Sequence, residues 1–212
     1  MFFEFFLAIL GALFSVVNPL GAIPVFLALT PDYTVRERRG TALRTSIYFA
    51  ALLTAFYFGG TLILQFFGIS LSAMRIAGGL VILASGYGLL YGKMEDSRAV
   101  GKRVKEEALR KDDISFSPMA MPMLSGPGSI SLLIGYSGQY AALDQRATVV
   151  LVIVVLAVVI YGILLSSPAL FRLLGFAGLQ AMTRIMGFIV MAIGVQYVIS
   201  GVVQLAAEFS EG

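Results

Sequence analysis

The stretch TVVLVIVVLAVVIYGILL, residues 148–165, carries no charge on any face and decides the class of fold. A helix needs about 20 apolar residues to cross a bilayer, and a helix apolar all round has no face to offer water. We read it as a membrane helix that mostly faces lipid. The same signal recurs on both sides of it. Charge-free runs cover Phe5–Pro31, Thr45–Met74, Ile76–Gly92, Ile114–Leu143, Ala147–Phe171 and Ile185–Ala207. Trimming their polar ends predicts an all-α membrane protein of six transmembrane helices, near 5–30, 45–67, 74–92, 118–137, 148–166 and 183–206.

The whole chain agrees. Its 212 residues are 58% hydrophobic and 13% charged, where a soluble domain averages roughly 45–50% and about 25%. A soluble enzyme, a disordered chain and a nucleic-acid binder are all argued against. The start, MFFEFFLAIL, has no basic segment and is interrupted by Glu4, so no cleavable signal sequence is read there. Cysteine and histidine are both absent, which removes thiol chemistry, the commonest general base and the commonest metal ligand.

Basic residues set the expected orientation. Segments after the first, third and fifth helices hold 13 of the 15 Lys and Arg, and the opposite side has only Arg75 and Arg146. The basic side should be cytoplasmic, with both termini outside. Residues 93–113 contain 7 basic and 6 acidic side chains. They read as a solvated linker, part of which could form a surface helix on Val100, Val104 and Ala108. The expected organisation is a first three-helix unit over 1–92, a charged cytoplasmic linker over 93–116 and a second three-helix unit over 117–212.

The chain also resembles itself. AMRIAGGLVILASGYGLLYG (73–92) aligns with MTRIMGFIVMAIGVQYVISG (182–201), placing Arg75 on Arg184 and the small residues Gly78, Ser85 and Gly92 on Gly187, Gly194 and Gly201. Stripes of small residues spaced by seven let two helices approach closely. An offset of 108 sets Pro19 against Pro127. Units of three helices must run in opposite senses, which predicts a 3+3 inverted repeat with helices one and four broken at the midplane.

Those breaks locate the candidate site. FSVVNPLGAIPVFLALTP (14–31) and SPMAMPMLSGPGSISLLIG (117–135) carry proline and glycine inside apolar runs. Proline removes a backbone donor and disfavours helix in the residue before it. Irregular backbone within a membrane is tolerated only where it is buried or lines a cavity. Second half-helices starting near Leu20 and Gly128 would aim N–H groups at an anionic group such as a carboxylate. The substrate-binding candidates are therefore Ser15, Asn18, Pro19, Leu20, Gly21, Ser125, Gly126, Pro127, Gly128 and Ser129, with Gln196 as a further cavity-lining residue. Hydroxyl and amide oxygens among them could take an ammonium. Arg75 and Arg184 each open a helix near a membrane boundary and read as snorkelling anchors or gates. Thr54 and Ser85 read as structural, bonded within their own helices.

With these motifs in view, the chain resembles the MarC family, also called the neutral amino acid transporter family, within a LysE-like exporter superfamily. NPLGAIPVFLALT (18–30) and PMLSGPGSI (122–130) resemble its first- and fourth-helix signatures, and RIAGG (75–79) and TRIMG (183–187) its third- and sixth-helix openings. Ser125 and Ser129 stand where alanine is expected in the family. The resemblance implies a six-helix plasma-membrane protein of bacteria or archaea, some of whose members move glycine and alanine. It carries Asn18, Pro19, Gly21, Pro24, Gly126, Pro127 and Gly128 over as site-forming positions, and Arg75 and Arg184 as family positions without an assigned role.

The leading expectation is a secondary transporter of small neutral amino acids working by alternating access, with the bilayer and a small amino acid as partners and no nucleic acid. A structural or regulatory membrane subunit, or a passive channel, is the alternative. Enzymatic function has no material: no span contains Asp or Glu. No cofactor or metal is expected, and coupling to sodium or protons is left open.

Overall fold

The structure, a computed structural model, describes residues 2–91, 113–140 and 142–210. The part of the charged linker up to residue 112, with its Val100, Val104 and Ala108 helix, lies outside the described residues. All regular elements among the described residues are helical: α1 (Phe2–Val17), α2 (Ile23–Leu29), α3 (Val35–Phe66), α4 (Leu71–Tyr91), α5 (Ser115–Leu124), α6 (Pro127–Gln139), α7 (Leu143–Leu165) and α8 (Ser167–Ser210). Four of them, α3, α4, α7 and α8, are long and apolar enough to cross a membrane; α1 is apolar but shorter.

Several bounds differ from the sequence reading, each for a local reason. The second helix, expected from residue 45, starts at Val35 because Thr34 and Glu37 form a reciprocal N-terminal cap. Its first turns carry Arg36, Arg38 and Arg39, so the charge-free run begins only after them. The sixth helix, expected over 183–206, extends from Ser167 to Ser210 through a kink at Gly175, whose φ of 63° suits glycine. The first helix, expected over 5–30 with a break at Asn18-Pro19, is two segments, and α2 starts at Ile23 rather than near Leu20. The fourth is likewise α5 and α6.

In α7, expected to face mostly lipid, Val149, Val152, Ile153, Leu156, Ile160 and Leu164 are fully buried. They form one stripe at helical spacing. Uniform apolarity hid that stripe from the sequence. On α3 the facing stripe is Thr45, Phe49, Leu53, Tyr57 and Leu64. Between α3 and α4, α6 is buried almost all round: every residue from Ser131 to Ser137 is buried.

The closest pairing is α4 against α8. A Cβ on Gly79 would come 2.8 Å from the Gly194 carbonyl oxygen, one on Gly86 2.8 Å from that of Gly187, and one on Gly201 3.0 Å from that of Ser72. The α8 stripe is the one read from sequence. On α4 the stripe is Ser72, Gly79 and Gly86, not Gly78, Ser85 and Gly92. Gly78 instead meets Ser131 on α6, Ser85 is exposed with its hydroxyl donating to the Val81 carbonyl, and Gly92 lies outside the described residues. A one-residue shift turns a helix by about 100°, from one neighbour to the next.

The ends of the helices sort into two groups. At one end the Arg44 guanidinium meets Asp113 at 3.0 Å and Arg39 donates to the Tyr161 hydroxyl. At the other, the Phe5 ring packs edge-on against Tyr140, 4.7 Å between centroids. Ser72 donates to Glu208 there, so both chain ends lie at the end opposite Arg39 and Arg44.

Candidate functional site

Asn18 ends α1 with a φ of 47°, in the left-handed region that asparagine tolerates better than other side chains. Its N–H still donates to the Phe14 carbonyl at 2.9 Å. The chain then tightens: Gly21, Ala22 and Ile23 N–H groups donate to the carbonyls of Asn18, Pro19 and Leu20. Those donors are therefore spent within the turn. The expectation that the half-helix after Pro19 aims its N–H groups into a cavity does not hold for Gly21, Ala22 and Ile23, because the left-handed step folds the backbone onto itself. A Cβ on Gly21 would come 2.5 Å from Asn18 Nδ2, so a larger residue there would push the Asn18 amide from its place. The Ser15 hydroxyl donates to the Gly11 carbonyl in its own helix.

At the second interruption the turns widen. Met119 and Ser125 N–H groups donate five residues back, to Ile114 and Ala120, with extended backbone at Ser117 and Met121. Gly126 is extended and starts α6, with Pro127 in its first turn, where a missing N–H is harmless. Ile130 N–H returns to the Gly126 carbonyl, and so does the Ser129 hydroxyl. No backbone acceptor among the described residues takes the Gly128 or Ser129 N–H.

The two interruptions adjoin. A Cβ on Gly128 would come 3.2 Å from Val16 Cγ1 and 3.5 Å from Ile82 Cγ1, so α1, α4 and α6 meet where the first irregular segment begins and the second ends. Asn18 is 7% exposed and Ser125 1%, and neither Asn18 Oδ1 nor Ser125 Oγ has a hydrogen-bond partner. Pro19 is buried and Leu20 half-buried, while Pro127 is exposed.

One helical turn away lies a cavity of about 470 Å³, within the roughly 300–1,000 Å³ of ligand pockets. Ala12 and Leu132 bound it on α1 and α6, each four residues from the Val16–Gly128 contact and so on the same helix face. Ile193, Gln196 and Tyr197 form its α8 wall. Tyr197 donates to the Leu132 carbonyl at 3.1 Å, and its hydroxyl occupies the space a Cβ on Gly135 would need. Arg75 stands at the end nearest the termini, donating to Gln204 at 2.6 Å and to Gln139 at 3.0 Å.

Of the residues singled out in the sequence, Arg75 and Gln196 line this cavity and the proline-flanking residues do not. Arg184 is exposed on α8, twenty residues from Gln204 and so about 30 Å along the helix. Gln139, Gln204, Tyr136 and Tyr197 were not singled out. Gln139 and Gln204 share an end with Arg75, and grouping polar residues by membrane end would have brought them together.

The family model described as "MarC family integral membrane protein" matches residues 3–206. A UPF0056 membrane protein of Methanocaldococcus jannaschii is 36% identical over 199 residues, 94% of this chain and 96% of the relative. The UPF0056 membrane protein YhcE of Escherichia coli K12 is 33% identical over 202 residues, 95% and 92% of the two chains. The UPF0056 inner membrane protein MarC of Escherichia coli O1:K1 is 33% identical over 205 residues, 92% and 93%. No solved structure matches.

Proposed function

We propose that the chain, which belongs to the MarC family of integral membrane proteins, is a secondary transporter of small neutral amino acids in the inner membrane of a prokaryote. It has no catalytic role in this reading, and both termini face outside. Each interrupted pair, α1 with α2 and α5 with α6, crosses the membrane as one unit, giving six crossings in two inverted halves. The α4–α8 seam supports the repeat. Adding 108 to Gly79 and Gly86 gives Gly187 and Gly194, so exchanging the halves turns the Gly79–Gly194 contact into the Gly86–Gly187 contact.

The observation that carries the proposal is the meeting of both irregular segments at Val16 and Gly128 with Asn18 Oδ1 and Ser125 Oγ buried and unpaired. A buried unsatisfied polar atom costs about 1–3 kcal/mol. An ammonium bonded there would recover that cost, and the Gly128 and Ser129 N–H groups would take a carboxylate. Alternating access then exposes the place where the halves meet to each side in turn.

Thermal unfolding of purified protein with glycine or alanine, with and without sodium, tests the reading. Ligand-dependent stabilisation is expected for wild type. For Asn18→Ala the affinity should fall about 10- to 150-fold, the equivalent of losing one hydrogen bond to a charged partner. Absence of stabilisation by any amino acid would favour a structural or regulatory subunit, and non-saturating conductance a passive channel.

A further inference from the structure

Arg75 is poorly matched to the partners it holds. Its Nη1 and Nη2 donate to two neutral amide oxygens, Gln204 Oε1 at 2.6 Å and Gln139 Oε1 at 3.0 Å, and its Nε is buried without an acceptor. The carboxylate joined to this cluster, Glu208, accepts from Gln204 and Ser72 and does not bond Arg75. A guanidinium presents five donors in a planar fork shaped for a carboxylate. Charge-assisted bonds of that kind are roughly twice as strong as neutral ones. Arg75 also lines the cavity, whose walls beyond it include Leu132, Ile189 and Ile193.

We infer that Arg75 receives the carboxylate of a small solute with an apolar body at the terminus-bearing mouth of the cavity, the two glutamines holding its place until the solute arrives. The site is separate from the interruptions: Gln139 lies eleven residues beyond Gly128 on α6, about 16 Å along the helix, too far for one small amino acid to touch both. The inference rests on the transporter reading for its solute, an amino acid, but not for its chemistry. Gln139 and Gln204 tie Arg75 of α4 to α6 and α8, so a carboxylate that displaces them also loosens the contacts between those helices.

The test is affinity by thermal shift on the full chain, with alanine, leucine, leucinamide and butyrate as probes. Leucine should stabilise wild type and leucinamide, which lacks the carboxylate, should not. Arg75→Gln should weaken leucine by about tenfold or more, Arg75→Lys should fall between, and Gln204→Ala should bind at least as well as wild type. Equal binding of amino acids by wild type and Arg75→Gln overturns the inference and leaves the transporter reading in place. Stabilisation by butyrate alone, lost in Arg75→Gln, upholds the Arg75 site and removes amino acids as its solute. If no carboxylate stabilises wild type, both readings fall. Should Arg75→Gln fail to fold, leucine on wild type against leucine on Arg75→Lys decides, and equal affinity for the two proteins overturns the inference.

Discussion

Gly79 and Gly194 touch backbone to backbone: a Cβ on either would stand 2.8 Å from the other's carbonyl oxygen. Within a membrane, helices associate by close packing of this kind rather than by excluding water. Gly79→Ala should therefore lower the melting temperature of detergent-purified protein, at a cost of about 1–3 kcal/mol for overpacking. Gly88→Ala on the same helix has nothing within 4 Å and should be neutral or slightly stabilising, since alanine exceeds glycine in helix propensity by roughly 1 kcal/mol. Equal effects would mean that the seam is looser than described.

Gly135 and Tyr197 should behave as a coupled pair. Gly135→Ala sets a methyl where the Tyr197 hydroxyl lies, and should cost about 1–3 kcal/mol. In a Tyr197→Ala background the same change should cost little, giving a coupling of roughly 0.5–3 kcal/mol. Melting curves of the two single variants and the double variant measure it. Additive losses would show that the ring does not occupy that space.

How much of this could be read from the chain differs by feature. The four long apolar helices follow from composition alone, and the α8 glycines from their spacing. The chain leaves helical geometry at Asn18 and at Ser125–Gly126, beside prolines the sequence singles out. The partner stripe on α4 was misplaced because Gly78 and Gly79 are adjacent and only packing says which faces α8. The Arg75 cluster was missed because Gln139 and Gln204 lie 65 residues apart with nothing in their neighbours to join them. A sequence with one apolar residue type after another gives no face to its helices, and α7 shows this most clearly.

Asn18 separates backbone demand from side-chain chemistry. Its φ of 47° costs most residues about 1–2 kcal/mol, and β-branched ones more. Asn18→Gly should keep the melting temperature near that of wild type, and Asn18→Val should lower it and the extracted yield. In the transporter reading, Asn18→Gly also weakens amino-acid stabilisation while remaining folded. A well-folded Asn18→Val would argue against the left-handed turn.

The chain has no cysteine, so single introduced thiols report sidedness without background. Ser210→Cys should react with an impermeant reagent added outside whole cells, and Ser97→Cys only after the membrane is opened. The reverse pattern would invert the topology, and with it the side on which the Arg75 mouth opens.

The α4–α8 seam also limits how the protein can recover from damage. At most packed contacts, a residue that grows on one side can be answered by a smaller residue opposite. Gly79 faces Gly194, and Gly86 faces Gly187; nothing is smaller than glycine. A genetic search for suppressors of Gly79→Ala should accordingly return changes elsewhere, along the flanks of the two helices where they can part, and none at residue 194. What these positions chiefly face is backbone, the one part of a neighbour that no substitution makes smaller.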